Sequence, residues 1–291
     1  MRGWWQDLTD LVLPVDCPGC GTPRVALCAG CRSALCGAAP RRVRPDPQPR
    51  GLPAVHAAAP YGGAVRAVLL AHKERGALPL AEVLGEALAG AVRAALLGAG
   101  RVGGGPVLLV PVPSARRAVR ARGHDPVRRS ALAAAGRLRR TGMPVSVLDV
   151  LRQRRAVEDQ AGLNSRERQV NLSGALEVVP GAGRLLRGAE RIVVVDDLMT
   201  TGASLTEAAR AVGGVCGVHG VGEERGSTTA GVRGAQVAAE RQREIRPSPD
   251  GGDGRASRTG KALPASEMHR SNTILAAVVA ASPASFEINR N

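Results

Sequence analysis

With 291 residues, the chain has room for one ordinary α/β domain and a small accessory module. Apolar residues make up 44% but aromatics only 1%, so the core must be built from Ala, Val and Leu, and no apolar run reaches the ~20 residues of a membrane span. The net charge of +15 is carried almost wholly by Arg, with Lys73 and Lys261 the only lysines, and it points toward an anionic partner: a nucleic acid or a highly negative small molecule.

Trp4–Val12 suits a short amphipathic helix. Two C-x-x-C knuckles follow, Cys17-Pro18-Gly19-Cys20 and Cys28-Ala29-Gly30-Cys31, with Cys36 close behind. Each knuckle can place two thiolates on one tetrahedral metal, and four close a structural Zn²⁺ site. Disulfide pairing and a thioredoxin-like redox pair are the competing readings. The stretch has neither the βαβ context of the redox motif nor a secretory leader, as Asp7, Asp10 and Asp16 stand where a basic start and apolar core belong. A cytoplasmic protein is expected. Spacing leaves open whether Cys36 replaces one of the four.

The chain therefore divides into a zinc-ribbon-like module (1–39), a Pro/Arg-rich linker (40–53) and an α/β domain (54–291). Helices are expected over Gly62–His72, Leu80–Leu97 and Val127–Arg140. Val107–Val110 reads as a strand, followed by the proline-stiffened loop Pro111-Val112-Pro113-Ser114-Ala115-Arg116-Arg117 and then Arg122-Gly123-His124-Asp125. A further strand is expected over Val145–Leu151. The polar run Gln160–Leu172 is long for a structureless connection and reads as a lid. From Val112 to Leu172 there are 14 Arg against five acids, more than half of the chain's excess charge. The block has no aromatic residue, which disfavours base stacking on single strands.

The most informative stretch is Arg191–Ser204. Ile192–Val195 is a continuous β-branched run, as in an inner strand covered on both faces. Asp196 and Asp197 fall at its carboxyl end, where open α/β sheets bind ligands. They can accept from two ribose hydroxyls or from water around Mg²⁺. The small residues Thr200, Thr201, Gly202, Ala203 and Ser204 then open a helix, whose unpaired first-turn amides favour a phosphate. Acids that merely cap this helix are the plainer alternative.

Residues from about Gly213 to Asn272 are rich in Gly, Ser, Arg and Pro without apolar periodicity and read as a disordered insert. Either Val215–Val221 or, preferably, Ile274–Val279 closes the sheet.

The Asp196–Ser204 run resembles the phosphoribosyl pyrophosphate (PRPP) motif of type I phosphoribosyltransferases. Taken in order, the four-Cys module, Tyr61–Arg66 with His72-Lys73, Val110–Pro113, Arg122-Gly123, Gln160–Asn171, Asp196–Ser204 and the tail Ala280–Arg290 resemble the ComF family. That resemblance implies a parallel sheet of the phosphoribosyltransferase type, flanked by helices and preceded by the zinc-ribbon-like module. It implies that Asp196 and Asp197 are the catalytic pair holding the ribose and that Thr200–Ser204 wrap the 5′-phosphate. Ser114, Arg116, Arg117 and Lys73 would bind pyrophosphate, with Mg²⁺ accompanying PRPP. The implied activity is phosphoribosyl transfer to a nitrogen acceptor with release of pyrophosphate. The alternative is an accessory role in DNA uptake, binding single-stranded DNA or a competence helicase without turnover. His124-Asp125 stands where the family pattern has Phe-Asn, and the insert at 213–272 is a second departure.

Overall fold

A computed structural model describes residues 16–100, 105–155, 165–217 and 273–287. In chain order its elements are α1 (Ala29–Cys36), β1 (Arg41–Val43), β2 (Val55–Pro60), α2 (Gly63–Glu74), α3 (Leu80–Gly98), β3 (Val107–Pro111), α4 (Arg116–Arg122), α5 (Pro126–Arg140), β4 (Val145–Val147), β5 (Leu151–Gln153), α6 (Ser165–Leu172), β6 (Leu176–Val178), α7 (Gly183–Arg187), β7 (Arg191–Met199), α8 (Ala203–Cys216), β8 (Thr273–Ala281) and α9 (Ala284–Glu287).

Six strands form one sheet in the order β1-β2-β8-β7-β3-β4, parallel throughout except for β1, which runs antiparallel to β2 at the edge. The continuous β-branched run of β7 has the environment it requires, for Ile192, Val193, Val194 and Val195 are all fully buried. Successive side chains alternate between two core layers. Val193 and Val195 pack with residues of α2, α3 and α5, whereas Ile192 and Val194 pack with residues of α8, β5 and β6.

A core without aromatics fills its space by bringing backbones together. At Gly85 in α3, an added Cβ would lie 2.4 Å from the Ala133 Cβ and 2.8 Å from the Ala134 nitrogen of α5. Small residues on both helices replace large side chains between them, so the interior still reaches ordinary packing density.

The expected helices occur as α2, α3 and α5, each within a residue or two of its expected bounds at either end. The run Ile274–Val279 lies within β8, paired on one side with β7 and on the other with β2. Val215 belongs to α8 instead. The strand expected over Val145–Leu151 is two strands in two sheets. Leu148 donates its N–H to the Leu109 carbonyl at 2.8 Å, and the chain then turns at Asp149 into a separate antiparallel pair, β5–β6. Within the stretch expected as a linker, Arg41–Val43 forms the edge strand β1. Of the expected insert, 213–217 completes and caps α8, and 218–272 lies outside the described residues, as do Trp4–Val12 and 160–164 of the lid. Among the described residues no helix is long and apolar enough to cross a membrane.

The β5–β6 pair is bolted to α8. Buried Glu207 accepts from the Leu176 N–H at 2.9 Å and from Arg210 Nε and Nη2 at 2.7 Å each, while Arg210 Nη2 also donates to the Leu176 carbonyl at 3.0 Å. Burial pushes the Glu207 carboxyl up, but Arg210 and the Leu176 amide outweigh it and hold it below the usual range. Its stabilising contribution is therefore present above the unfolded value and is lost as pH falls through the folded one. Glu207→Ala strands the Leu176 N–H, and such a loss costs about 1–3 kcal/mol. Urea unfolding at neutral pH will read that cost, and the difference from the parent shrinks in acid.

Candidate functional site

Asp196 and Asp197 sit at the carboxyl end of β7, opposite β8 on one side and just past the Pro111–Val195 pair with β3 on the other. Strand alternation points them to opposite faces. Asp197 continues the Val193–Val195 side, where α2 presents Lys73, and Lys73 Nζ lies 3.4 Å from Asp197 Oδ2. Asp197, foremost, holds the Lys73 ammonium in its charged form. Asp196 continues the other face, and its Oδ1 accepts from the Asp197 N–H at 2.8 Å. Burial first, and then the Asp197 charge, lift the Asp196 carboxyl well above the usual range; Lys73 opposes this. Such a carboxylate is poorly satisfied as it stands and gains from hydroxyl donors.

These acids do not cap the next helix. Its N-cap is Gly202, which makes no side-chain cap bond, and the first turn carries no acid. Gly202 has φ +77°, and an added Cβ would meet the Leu52 side chain at 3.0 Å. A β-carbon would be strained by the backbone angle and tight against Leu52, so glycine suits the sharp turn here. Thr206 donates to the Gly202 carbonyl through both its amide and its hydroxyl at 2.9 Å. The first-turn amides of α8 have no intrahelical partners, and that of Ala203 donates to the Thr201 hydroxyl at 3.5 Å.

Beside β7, the Pro111–Arg117 segment leads into α4, with Arg116 its first residue. Ser114 donates its N–H to Asp125 Oδ2 at 3.4 Å, and Asp125 Oδ1 caps α5 by accepting from Arg128 N at 3.0 Å. Ser114 and Arg116 line a cavity of about 480 Å³, together with Arg120, Asp125, Asp149 and Arg152. Arg117 is exposed and does not line it. Lys73 belongs to the acid pair rather than to this cavity.

Two cations absent from the expected pyrophosphate set reach the same region. Arg168, on α6 within the expected lid, approaches the Thr200 hydroxyl at 3.5 Å, and its Nε is buried without a hydrogen-bond partner. Arg122 has a buried Nη1 without a partner and lies close enough to Lys73 to disfavour its charge. The signals were the Arg-Gly dipeptide and the charged lid. The distance between Arg168 and Thr200 in sequence hid their meeting.

The four cysteines of the two knuckles converge. All four Sγ atoms lie within 4.8 Å of one another, none is in a disulfide, and Cys17 and Cys31 are buried. Amides point at the sulfurs: Cys28 N–H donates to Cys17 Sγ and Cys31 N–H to Cys28 Sγ, each at 3.4 Å. An added Cβ on Gly19 would lie 2.5 Å from Cys31 Sγ, so the first knuckle needs glycine there. Burial pushes the Cys17 thiol up, but the Cys28, Cys20 and Gly19 amides outweigh it and bring it to about 6. Cys31 is driven up by burial and then by its sulfur neighbours. Sulfurs that resist joint ionisation until a cation arrives fit a structural zinc. Cys36 is not of the set; its thiol donates to the Val83 carbonyl at 3.7 Å.

Compared with known proteins, the chain matches no family model and no curated protein.

Proposed function

We propose that this chain is a ComF-like member of the type I phosphoribosyltransferase group, binding PRPP with Mg²⁺ and transferring its phosphoribosyl group to a nitrogen acceptor. One observation carries the reading: a buried acid pair stands near the carboxyl end of a central parallel strand, and the glycine-turned start of α8 follows at Gly202. The acids would accept from the ribose hydroxyls, and the Thr200–Ser204 amides would take the 5′-phosphate. Ser114, Arg116, Arg122, Arg168 and Lys73 would surround the pyrophosphate, Arg117 lying further out. In the transfer, the bond from ribose C1 to the pyrophosphate oxygen breaks, and pyrophosphate leaves with the electron pair. A nitrogen lone pair closes on C1, and the nitrogen's proton passes to solvent or the leaving group. Positioning and preorganised charge supply the catalysis.

The DNA-uptake alternative draws on the Arg-rich block, but several of its cations are already engaged. Arg128 faces Asp149, Arg137 faces Glu86 and Arg152 faces Glu177. Paired cations release fewer counterions from a phosphate backbone. The deciding experiment is titration of the folded chain with Mg–PRPP by calorimetry, followed by an acceptor screen for pyrophosphate release. Binding is expected, with release on addition of the right amine. No heat at millimolar PRPP overturns the proposal, while binding without release for every acceptor leaves a PRPP-binding protein without turnover.

A further inference from the structure

His72 and His124 form a buried pair next to the acid site, 2% and 8% exposed, with ring centroids 5.7 Å apart. All four ring nitrogens face backbone carbonyls. His72 Nδ1 approaches the Ala77 oxygen at 3.3 Å and Nε2 the Pro126 oxygen at 3.4 Å. His124 Nδ1 approaches the Arg122 oxygen at 3.2 Å and Nε2 the His72 oxygen at 3.1 Å. A carbonyl can only accept, and a neutral imidazole has one N–H, so two neutral rings supply two of the four donors required. Each neutral ring then sets a nitrogen lone pair against a carbonyl lone pair. An imidazolium donates from both nitrogens.

We infer that His72 and His124 share a bound proton that clamps the Arg122–Pro126 turn to α2 and thereby positions both flanks of the anion site. The effect on PRPP rests on the function proposed above; the proton site itself does not. The clamp joins elements that carry the site's parts. Residue 73, next to His72, is the lysine that meets Asp197, and residue 125, next to His124, is the acid that holds the Ser114 amide. With the proton bound, three of the four carbonyls have donors instead of two, and the two flanks are held together. Without it, one of these contacts loses its donor and the turn loosens from α2.

The charged groups around the pair decide where it titrates. Lys73 and Glu74 lie beside His72 on α2, Asp197 approaches from β7, and Arg122 and Asp125 lie on the turn. Burial foremost holds His72 below the ordinary histidine range; the Ala77 and Pro126 carbonyls and Asp197 oppose this, and His124 reinforces it. Two imidazoliums this close repel, so the pair takes up one proton readily and resists the second. His72 therefore takes up its proton on the acid side of about 6.5.

Ring-resolved NMR of the full chain tests the proton site without any ligand. The His72 ring should titrate below about pH 6.5, with the resonances of the neighbouring His124 ring moving in the same transition. If both stay neutral down to the pH at which the fold is lost, the inference is overturned. PRPP affinity of the parent and of His124→Phe, compared across the same range, tests the coupling. Protonation of PRPP and of Asp196 affects both proteins and cancels in the ratio. The ratio should rise severalfold with falling pH, up to the limit of about tenfold per pH unit for one linked proton. His124→Gln, which donates without titrating, should bind more tightly than His124→Phe and lack the extra pH dependence. A flat ratio overturns the coupling. If PRPP binds neither protein, the proposed function fails, and the ring titration still decides the proton site, as it does if the Phe variant does not fold.

Discussion

Replacing Asp196 and Asp197 together by Asn abolishes Mg–PRPP binding in calorimetry while leaving the chain at least as resistant to heat at neutral pH. Each carboxylate offers the ribose a charge-assisted hydrogen bond worth about 1.5–3 kcal/mol, so losing both weakens binding by at least ~100-fold. The stability change has the opposite sign. Burial first and Asp197 second raise the folded value of Asp196 above the unfolded one. Such a group stabilises the fold below its unfolded value and loses that contribution as pH rises through the folded value. Asn has no proton to lose, so the variant gains on the parent as pH rises and matches it in acid. The Lys73 side of its contact is 38% exposed, so that contact contributes little to this balance. Thermal unfolding at several pH values reads the stability, and unchanged PRPP affinity would refute the assignment of the acids.

The second large effect is on the N-terminal cysteines. The purified chain should carry one zinc, and Cys17→Ser or Cys31→Ser should remove it. Three sulfurs cannot close a tetrahedral site, and the buried Cys31 thiol resists ionising without a cation. The loss reaches beyond the knuckles, because α1 places Leu35 fully buried among residues of α2 and α3. Unseating that contact should cost roughly 3 kcal/mol, or about 6–12 °C in the unfolding midpoint. Cys36→Ser leaves the zinc in place, since Cys36 bonds Val83 instead. Mass spectrometry of the native protein and a thermal scan test both expectations. A zinc-free parent with the same midpoint as its Cys31→Ser variant would sink the metal assignment.

What could be read from the sequence was local. The strand at Ile192–Val195, the acids at its end and the glycine that turns the chain are consecutive residues with one physical demand each. The two knuckles are equally short-range, and the helices announce themselves by period. What escaped the reading was settled by tertiary context. Nothing near Asp149 signals that the chain leaves one sheet for another; Arg128, packed 3.4 Å away, makes the turn tolerable. Three-residue strands such as β1 and β5 are too short for a pattern to register. Arg168 joins the candidate site only because α6 packs on α8, and the four-carbonyl environment of the histidines depends on three separate elements meeting. His124 was noticed as a departure from a family pattern, but its partner could not be named from spacing.

The place of β8 in the sheet has a consequence for synthesis. It lies between β2 and β7, yet it is the last strand of the sheet to leave the ribosome, with 56 residues separating it from the end of α8. At ~5–20 residues per second, several seconds pass in which β2 and β7 each present an open parallel edge. Such edges recruit other strands. Newly made chains are thus most exposed to mispairing after the ligand loop has been translated and before the strand beside it has arrived.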